Sequence, residues 1–137
     1  MKKSLLIGSI ALGLVGCSTG SVTQQDLQHH RWILSSIDGV AVEVNKEQPA
    51  DLEIGEHFTV GGNSGCNRYF GQGELENGKF RVDQMGSTMM LCPEAAMEVE
   101  RAVTETLGDW STVTVNATTL TLDGEHTLVF TLKDWVN

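Results

Sequence analysis

Basic residues are scarce in this chain. Nine lysines and arginines stand against 18 aspartates and glutamates, a formal net charge of −9 over 137 residues. Without a basic face there is little to neutralise phosphates, so nucleic-acid binding and electrostatic adhesion to anionic lipid headgroups are disfavoured. Histidine is sparse as well. His29 and His30 are adjacent, while His57 and His126 stand without a Cys or carboxylate at ligand spacing, so neither a metal site nor a cofactor is expected. No apolar run reaches the roughly 20 residues that a membrane-spanning helix needs. Internal repeats and low-complexity blocks are missing too, and the length suits one domain with a single core.

What is present begins with an address. Lys2 and Lys3 precede the short apolar run Leu5 to Val15, the pattern of a secretory leader. Leu14-Val15-Gly16-Cys17 then resembles a bacterial lipobox, in which the cysteine is lipidated and becomes the mature N-terminus. Residues 1–17 are therefore expected to be a lipoprotein signal peptide, with Cys17 carrying palmitate and serving as the membrane anchor. Ser18, a residue other than Asp at that position, implies sorting to the outer membrane by the same resemblance. Loss of Lys2 and Lys3 with the leader leaves seven basic against 18 acidic residues, a net charge of −11. Residues 18–28 are polar and read as a tether. The domain is expected over 29–137.

Such a chain sits in an oxidising compartment, which changes the arithmetic of its three cysteines. With Cys17 set aside, Cys66 and Cys92 remain as one disulfide pair. Chain-entropy reasoning gives a link across that loop about 3.5 kcal/mol.

Period-two patterning dominates the domain. Trp32 and Leu34 share a face, as do Val113 and Val115, and Leu120 and Leu122 alternate with threonines before Asp123-Gly124 and the run Leu128, Phe130, Leu132. This predicts strands, with hairpins at Asp123-Gly124 and at Asn77-Gly78. Helical spacing occurs once: Pro93 in a first turn, Glu94 near the positive end of the dipole, the stripe Ala96, Val99, Val103 and Leu107, then Gly108. Met97 flanks that stripe as a core residue. The expected fold class is α+β, an antiparallel sheet with one helix packed on its concave face.

The segment GGNSGCNRYFGQG, residues 61–73, is the densest in glycine. It lies between two predicted strands, Phe58 to Val60 and one starting near Tyr69, and lacks the Lys-Ser/Thr on a helix that a phosphate loop requires. A structural turn with close backbone approach is expected. Trp32-Ile33-Leu34 with Asp38-Gly39, Gly65-Cys66-Asn67-Arg68-Tyr69 with Gly71, and Thr88-Met89-Met90-Leu91-Cys92 together resemble the META/HslJ family of bacterial envelope lipoproteins. That resemblance implies that the antiparallel sheet is curled and partly barrel-like, with a helix, and a heat-shock or stress-response role; it implies no enzymatic activity.

Asn67, Arg68 and Tyr69 form the candidate ligand or partner surface, because Arg68 offers a planar fork in a domain poor in cations. The plainer reading pairs Arg68 with Glu74 or Glu76. No catalytic residue is legible: Ser64 lacks the glycine spacing of a hydrolase elbow, and Trp110 and Trp135 read as core or rim aromatics. The leading expectation is a monomeric, non-enzymatic binding module at the periplasmic face of the outer membrane that contacts an envelope protein or a small apolar ligand. An envelope enzyme using Cys66 or Ser64 and a passive structural lipoprotein are the alternatives.

Overall fold

Alternating apolar and polar residues leave one face of each strand for a core. The computed structural model, which describes residues 21–43 and 47–135, realises this as nine strands. They are β1 (His30–Ile37), β2 (Val40–Ala41), β3 (Asp51–Ile54), β4 (Thr59–Asn63), β5 (Arg68–Glu76), β6 (Lys79–Ser87), β7 (Ser111–Asn116), β8 (Thr119–Asp123) and β9 (Thr127–Trp135). The leader, Cys17 and Ser18 lie outside the described residues.

Every pairing is antiparallel. Neighbours run β1-β3-β4-β5-β6-β7-β8-β9, and β9 returns to pair with β1 from His30↔Trp135 to Ile37↔Leu128. β2 shares the other edge of β1 with β3. The sheet thus curls into a ring, which removes most free strand edges. It is no regular barrel, because β6 and β7 join through only Lys79↔Thr112 and Phe80↔Ser111.

The predicted inward faces point inward. Trp32, Leu34, Leu120, Leu122, Leu128 and Phe130 are buried in one core with Phe58, Tyr69 and Phe80. Full burial of each such side chain contributes about 1.5–3 kcal/mol. Val115 and Leu132 are half-buried at its edge.

Turn chemistry explains the hairpins, with one correction. Asn77 and Gly78 adopt φ of 51° and 73° between the paired residues Glu76 and Lys79, the tight turn predicted for them. Asp123 instead pairs with Thr127, so Gly124 belongs to a three-residue connection. Gly124 is needed there for closeness: a Cβ on it would collide with the Ser111 hydroxyl.

Helix α2 (Glu94–Leu107) begins one residue after Pro93, whose carbonyl accepts hydrogen bonds from Ala96 and Met97 N–H. Val103 and Leu107 are buried, Ala96, Met97 and Val99 half-buried. Because the ring closes on itself, the helix crosses one end of it instead of lying along an open concave face. At its C-terminal part the Ser111 hydroxyl donates to the Thr106 carbonyl at 3.2 Å, and His126 N–H donates to Thr106 Oγ1 at 3.1 Å. The fold also starts earlier than the expected tether allowed. Short helix α1 (Gln24–Leu27) is capped by Thr23 and Asp26, and Leu27 is fully buried.

His126 joins three elements at that end. Its Nδ1 lies 2.8 Å from Asp38 Oδ2 in the β1–β2 turn, and its Nε2 3.6 Å from Glu105 on α2. The Asp38 hydrogen bond raises the imidazole above its ordinary value, with Glu105 adding to it against slight burial. A raised value means that the stabilisation is full below the ordinary histidine pKa of about 6.5 and is lost as pH rises through the folded value. Asp38, held low chiefly by His126 and then by Thr127 N–H, loses its own contribution only as pH falls through its lowered value. The melting temperature should therefore decline as pH rises above about 6.5 and through the raised imidazole value, and His126→Ala should flatten that decline. An unchanged slope in the variant would remove the cluster from the account.

Candidate functional site: the Asn67 clasp and the surface it holds

The glycines of 61–73 allow backbones to approach. Gly62 lies against the Asp51 carbonyl, which accepts the Tyr69 hydroxyl at 2.7 Å, and a Cβ on Gly62 would collide with that carbonyl oxygen. Gly65, at φ +122°, sits under α2, where a Cβ would lie 3.0 Å from the Ala96 carbonyl oxygen. Only residues 64–67 of the segment form the expected turn, on which α2 docks; Gly61, Gly62, Gly71 and Gly73 lie within β4 and β5, where they allow close approach instead of turning the chain.

Asp51 prepares one side of the turn. It is buried, bonded to Arg31 Nε at 2.7 Å, and accepts Asn63 N–H at 2.6 Å. Asn67 organises the other side. Its Nδ2 donates to the Met90 carbonyl at 3.1 Å and to Glu100 Oε2 at 3.0 Å, while its Oδ1 accepts Met90 N–H at 2.6 Å and the Thr88 hydroxyl at 2.8 Å. All four hydrogen-bonding positions of the amide are thereby used. Glu100 Oε1 accepts Asn67 N–H at 2.7 Å and lies 2.9 Å from Ser64 Oγ. Burial alone would push the Glu100 carboxyl up; the Asn67 amide, Asn67 N–H, Ser64 hydroxyl and Cys66 N–H outweigh it and hold it below the usual carboxylate range. The Cys66–Cys92 disulfide completes the junction. A turn, a loop and a helix are fastened together by one amide, one carboxylate and one covalent link.

The structure divides the expected surface Asn67, Arg68, Tyr69. Asn67 and Tyr69 are buried, at 3% and 1% exposure, and only Arg68 faces solvent. Burial, with Asp51 and Glu53 nearby, raises the Tyr69 phenol well above its ordinary value, so it stays a donor. Arg68 pairs with neither Glu74 nor Glu76. Glu74 instead bonds Arg81, its cross-strand partner, at 3.1 Å, and the Arg81 guanidinium lies 4.6 Å from the ring centroid of half-buried Trp110. Trp135 ends β9, outermost in the β1–β9 register opposite His30. Ser64 is completely buried, and Cys66 is committed to the disulfide. Among the described residues no group of three His, Cys, Asp or Glu is placed to hold a metal ion.

Glu100 was not singled out from the sequence, and the 89–91 segment entered only as part of the family motif, not as an exposed surface. Glu100 had a signal: it falls four residues after Ala96 and three before Val103, a carboxylate inside an apolar stripe. The second feature is apolar exposure. Met89, Met90 and Leu91 are 94%, 55% and 93% exposed, and Phe70 nearby is 60% exposed with its ring over Gly86.

These features define a class: an antiparallel ring of strands whose open end is closed by a disulfide-tethered helix, the tether sharing its turn with a buried amide–carboxylate clasp. The chain belongs to the META domain family, whose model matches residues 25–135. Over the whole of both chains it is 33% identical to heat shock protein HslJ of Escherichia coli (strain K12). One NMR structure of a protein 34% identical superposes with a TM-score of 0.72, covering 81% of this chain and 95% of the other. An NMR structure of a protein from Burkholderia xenovorans, 29% identical, gives 0.64 over 80% and 85%.

Proposed function

We propose that the protein is a lipoprotein of the outer membrane, anchored through Cys17 on the periplasmic side, and that its META domain is a non-enzymatic interaction module of the envelope or heat-stress response. The observation that carries this reading is the Cys66–Cys92 bond. A domain whose helix is fastened by a disulfide suits an oxidising compartment, and residues 1–17 have the pattern of the route there. The acidic composition supports dependence on an anchor, since the domain brings no basic patch to lipid. The stress role follows the name of the E. coli relative.

The binding part is supported by how the reactive side chains are used. An enzyme acting through Cys66 would need a free thiolate, and one acting through Ser64 would need substrate access to a hydroxyl with no exposed surface. A purely passive domain gives no reason to display three consecutive apolar side chains to water.

The anchor is tested with Cys17→Ser. Wild-type cells should incorporate labelled palmitate into the protein and carry it in the outer-membrane fraction; the variant should accumulate as unlabelled precursor. Processing and membrane attachment equal to the wild type would refute the anchor.

A further inference from the structure

We propose that Arg68, Phe70 and the Met89–Leu91 segment form a docking surface for an acidic, apolar segment of another envelope protein. The inference rests on the interaction-module reading and names its surface and the chemistry of its partner.

Position comes first. Arg68 and Phe70 alternate along β5, so they share its solvent face. In the β5–β6 ladder Phe70 is opposite Gly86 and Tyr69 opposite Ser87, and Arg68 makes two hydrogen bonds with Thr88, whose N–H donates to the Arg68 carbonyl at 3.0 Å and whose side-chain hydroxyl accepts Arg68 N–H at 3.1 Å. The 89–91 segment starts at the next residue. Arg68, Phe70 and the start of the 89–91 segment are therefore placed at the same end of the ladder. The four apolar side chains together expose on the order of 500 Å², comparable in amount to the apolar centre of an ordinary interface.

Their backbone is held in place. Both the N–H and the carbonyl of Met90 are bonded to the Asn67 amide, and Cys92 is bonded to Cys66. A loop that merely connected a strand to a helix would have no need of such restraint around exposed methionines. A backbone already fixed lowers the ordering cost of association, and methionine adapts to varied partners.

Charge and position select the occupant. Among the described residues the Arg68 guanidinium makes no ion pair, in a chain of net charge −9. A carboxylate on the partner would complete it. A second copy presenting the same patch would set cation against cation and bring Arg68 no carboxylate, so self-association is disfavoured. The anchoring bilayer is disfavoured by direction. Ser21 and Val22 lie beside Asn77, Gly78 and Lys79, at the opposite end of β6 from Ser87, roughly 25 Å away at strand rise.

The test places the photocrosslinker p-benzoylphenylalanine at position 89, at position 91, or at exposed Thr114 on β7 as a control, in the full-length protein in living cells. Positions 89 and 91 should each give a discrete protein adduct absent from the control, and sequencing should place the crosslink in a partner segment combining apolar residues with Asp or Glu. Arg68→Glu should lower the yield about tenfold, and Leu91→Ser with the probe at 89 should lower it as well. Adducts only to phospholipid or to a second copy, a yield indifferent to both substitutions, or nothing above control would overturn the proposal. Fractionating the same cells reads the anchor separately. Loss of membrane attachment with the adduct intact would sink the Cys17 assignment and leave the surface standing.

Discussion

Asn67→Ala is expected to destabilise the domain by about 3–5 kcal/mol, the largest loss from any single side chain of the clasp. The substitution removes four hydrogen bonds, one of them to a carboxylate, and leaves the Met90 N–H, the Met90 carbonyl and one Glu100 oxygen short of their partners. Groups left unsatisfied in this way cost more than the bonds themselves contribute. Asn67→Asp tests the mechanism, because it preserves shape while placing a second carboxylate against Glu100. Like charges in one buried site raise each other's pKa, so the Asp variant should be weakest at neutral pH and recover part of its deficit as pH falls. The wild type has the opposite slope from Glu100. Its lowered carboxyl stabilises fully above the ordinary glutamate value and loses that contribution as pH falls through the folded value. Urea unfolding from pH 7 to pH 3.5 checks both variants; a loss below about 1 kcal/mol in Asn67→Ala would show that the clasp is dispensable.

The disulfide should matter almost as much. Cys66→Ser, Cys92→Ser and the double variant should each lose about 2–5 kcal/mol, because either single change removes the same link and the second removes nothing further. The bond closes the chain from the β4–β5 turn to the start of α2, two residues before Glu94. Without it, the bonds of Glu100 to Asn67 and Ser64 must hold the N-terminal half of the helix, while Thr106, Val103 and Leu107 still seat its C-terminal half. The oxidised, folded protein should also resist alkylation at both cysteines. Stoichiometric labelling of Cys66, or destabilisation by only one of the two serine variants, would point to a thiol with chemistry of its own.

Much of this architecture was legible from local rules. Period-two alternation placed Trp32, Leu34, Leu120, Leu122, Leu128 and Phe130 on inward faces, since a strand has only two faces to choose between. Asn77-Gly78 specified a two-residue turn because few residue pairs tolerate positive φ in succession. The stripe from Ala96 to Leu107 specified α2 and its buried side. Setting Cys17 apart left one possible pairing, and Cys66 and Cys92 are bonded.

The site depended on contacts that no local pattern encodes. Asn67 reads as a polar surface residue beside Arg68, yet its four partners come from residues 88, 90 and 100, and only the meeting of loop, turn and helix buries it. Glu74 lies six residues from Arg68 and seven from Arg81, and the register of β5 on β6 gives it to Arg81, leaving Arg68 without an ion pair among the described residues. Met89, Met90 and Leu91 have the composition of a core segment. They face water where Asn67 fixes the Met90 backbone on one side and the disulfide holds Cys92 on the other. Closure of the ring likewise follows from β9 reaching β1, a pairing between ends of the domain about 100 residues apart that depends on the accumulated curl of every strand between them. Periodicity and turn chemistry act over a few residues and so show in the sequence; burial of a polar amide and exposure of an apolar loop are decided by partners distant along the chain, and only the tertiary structure brings those together.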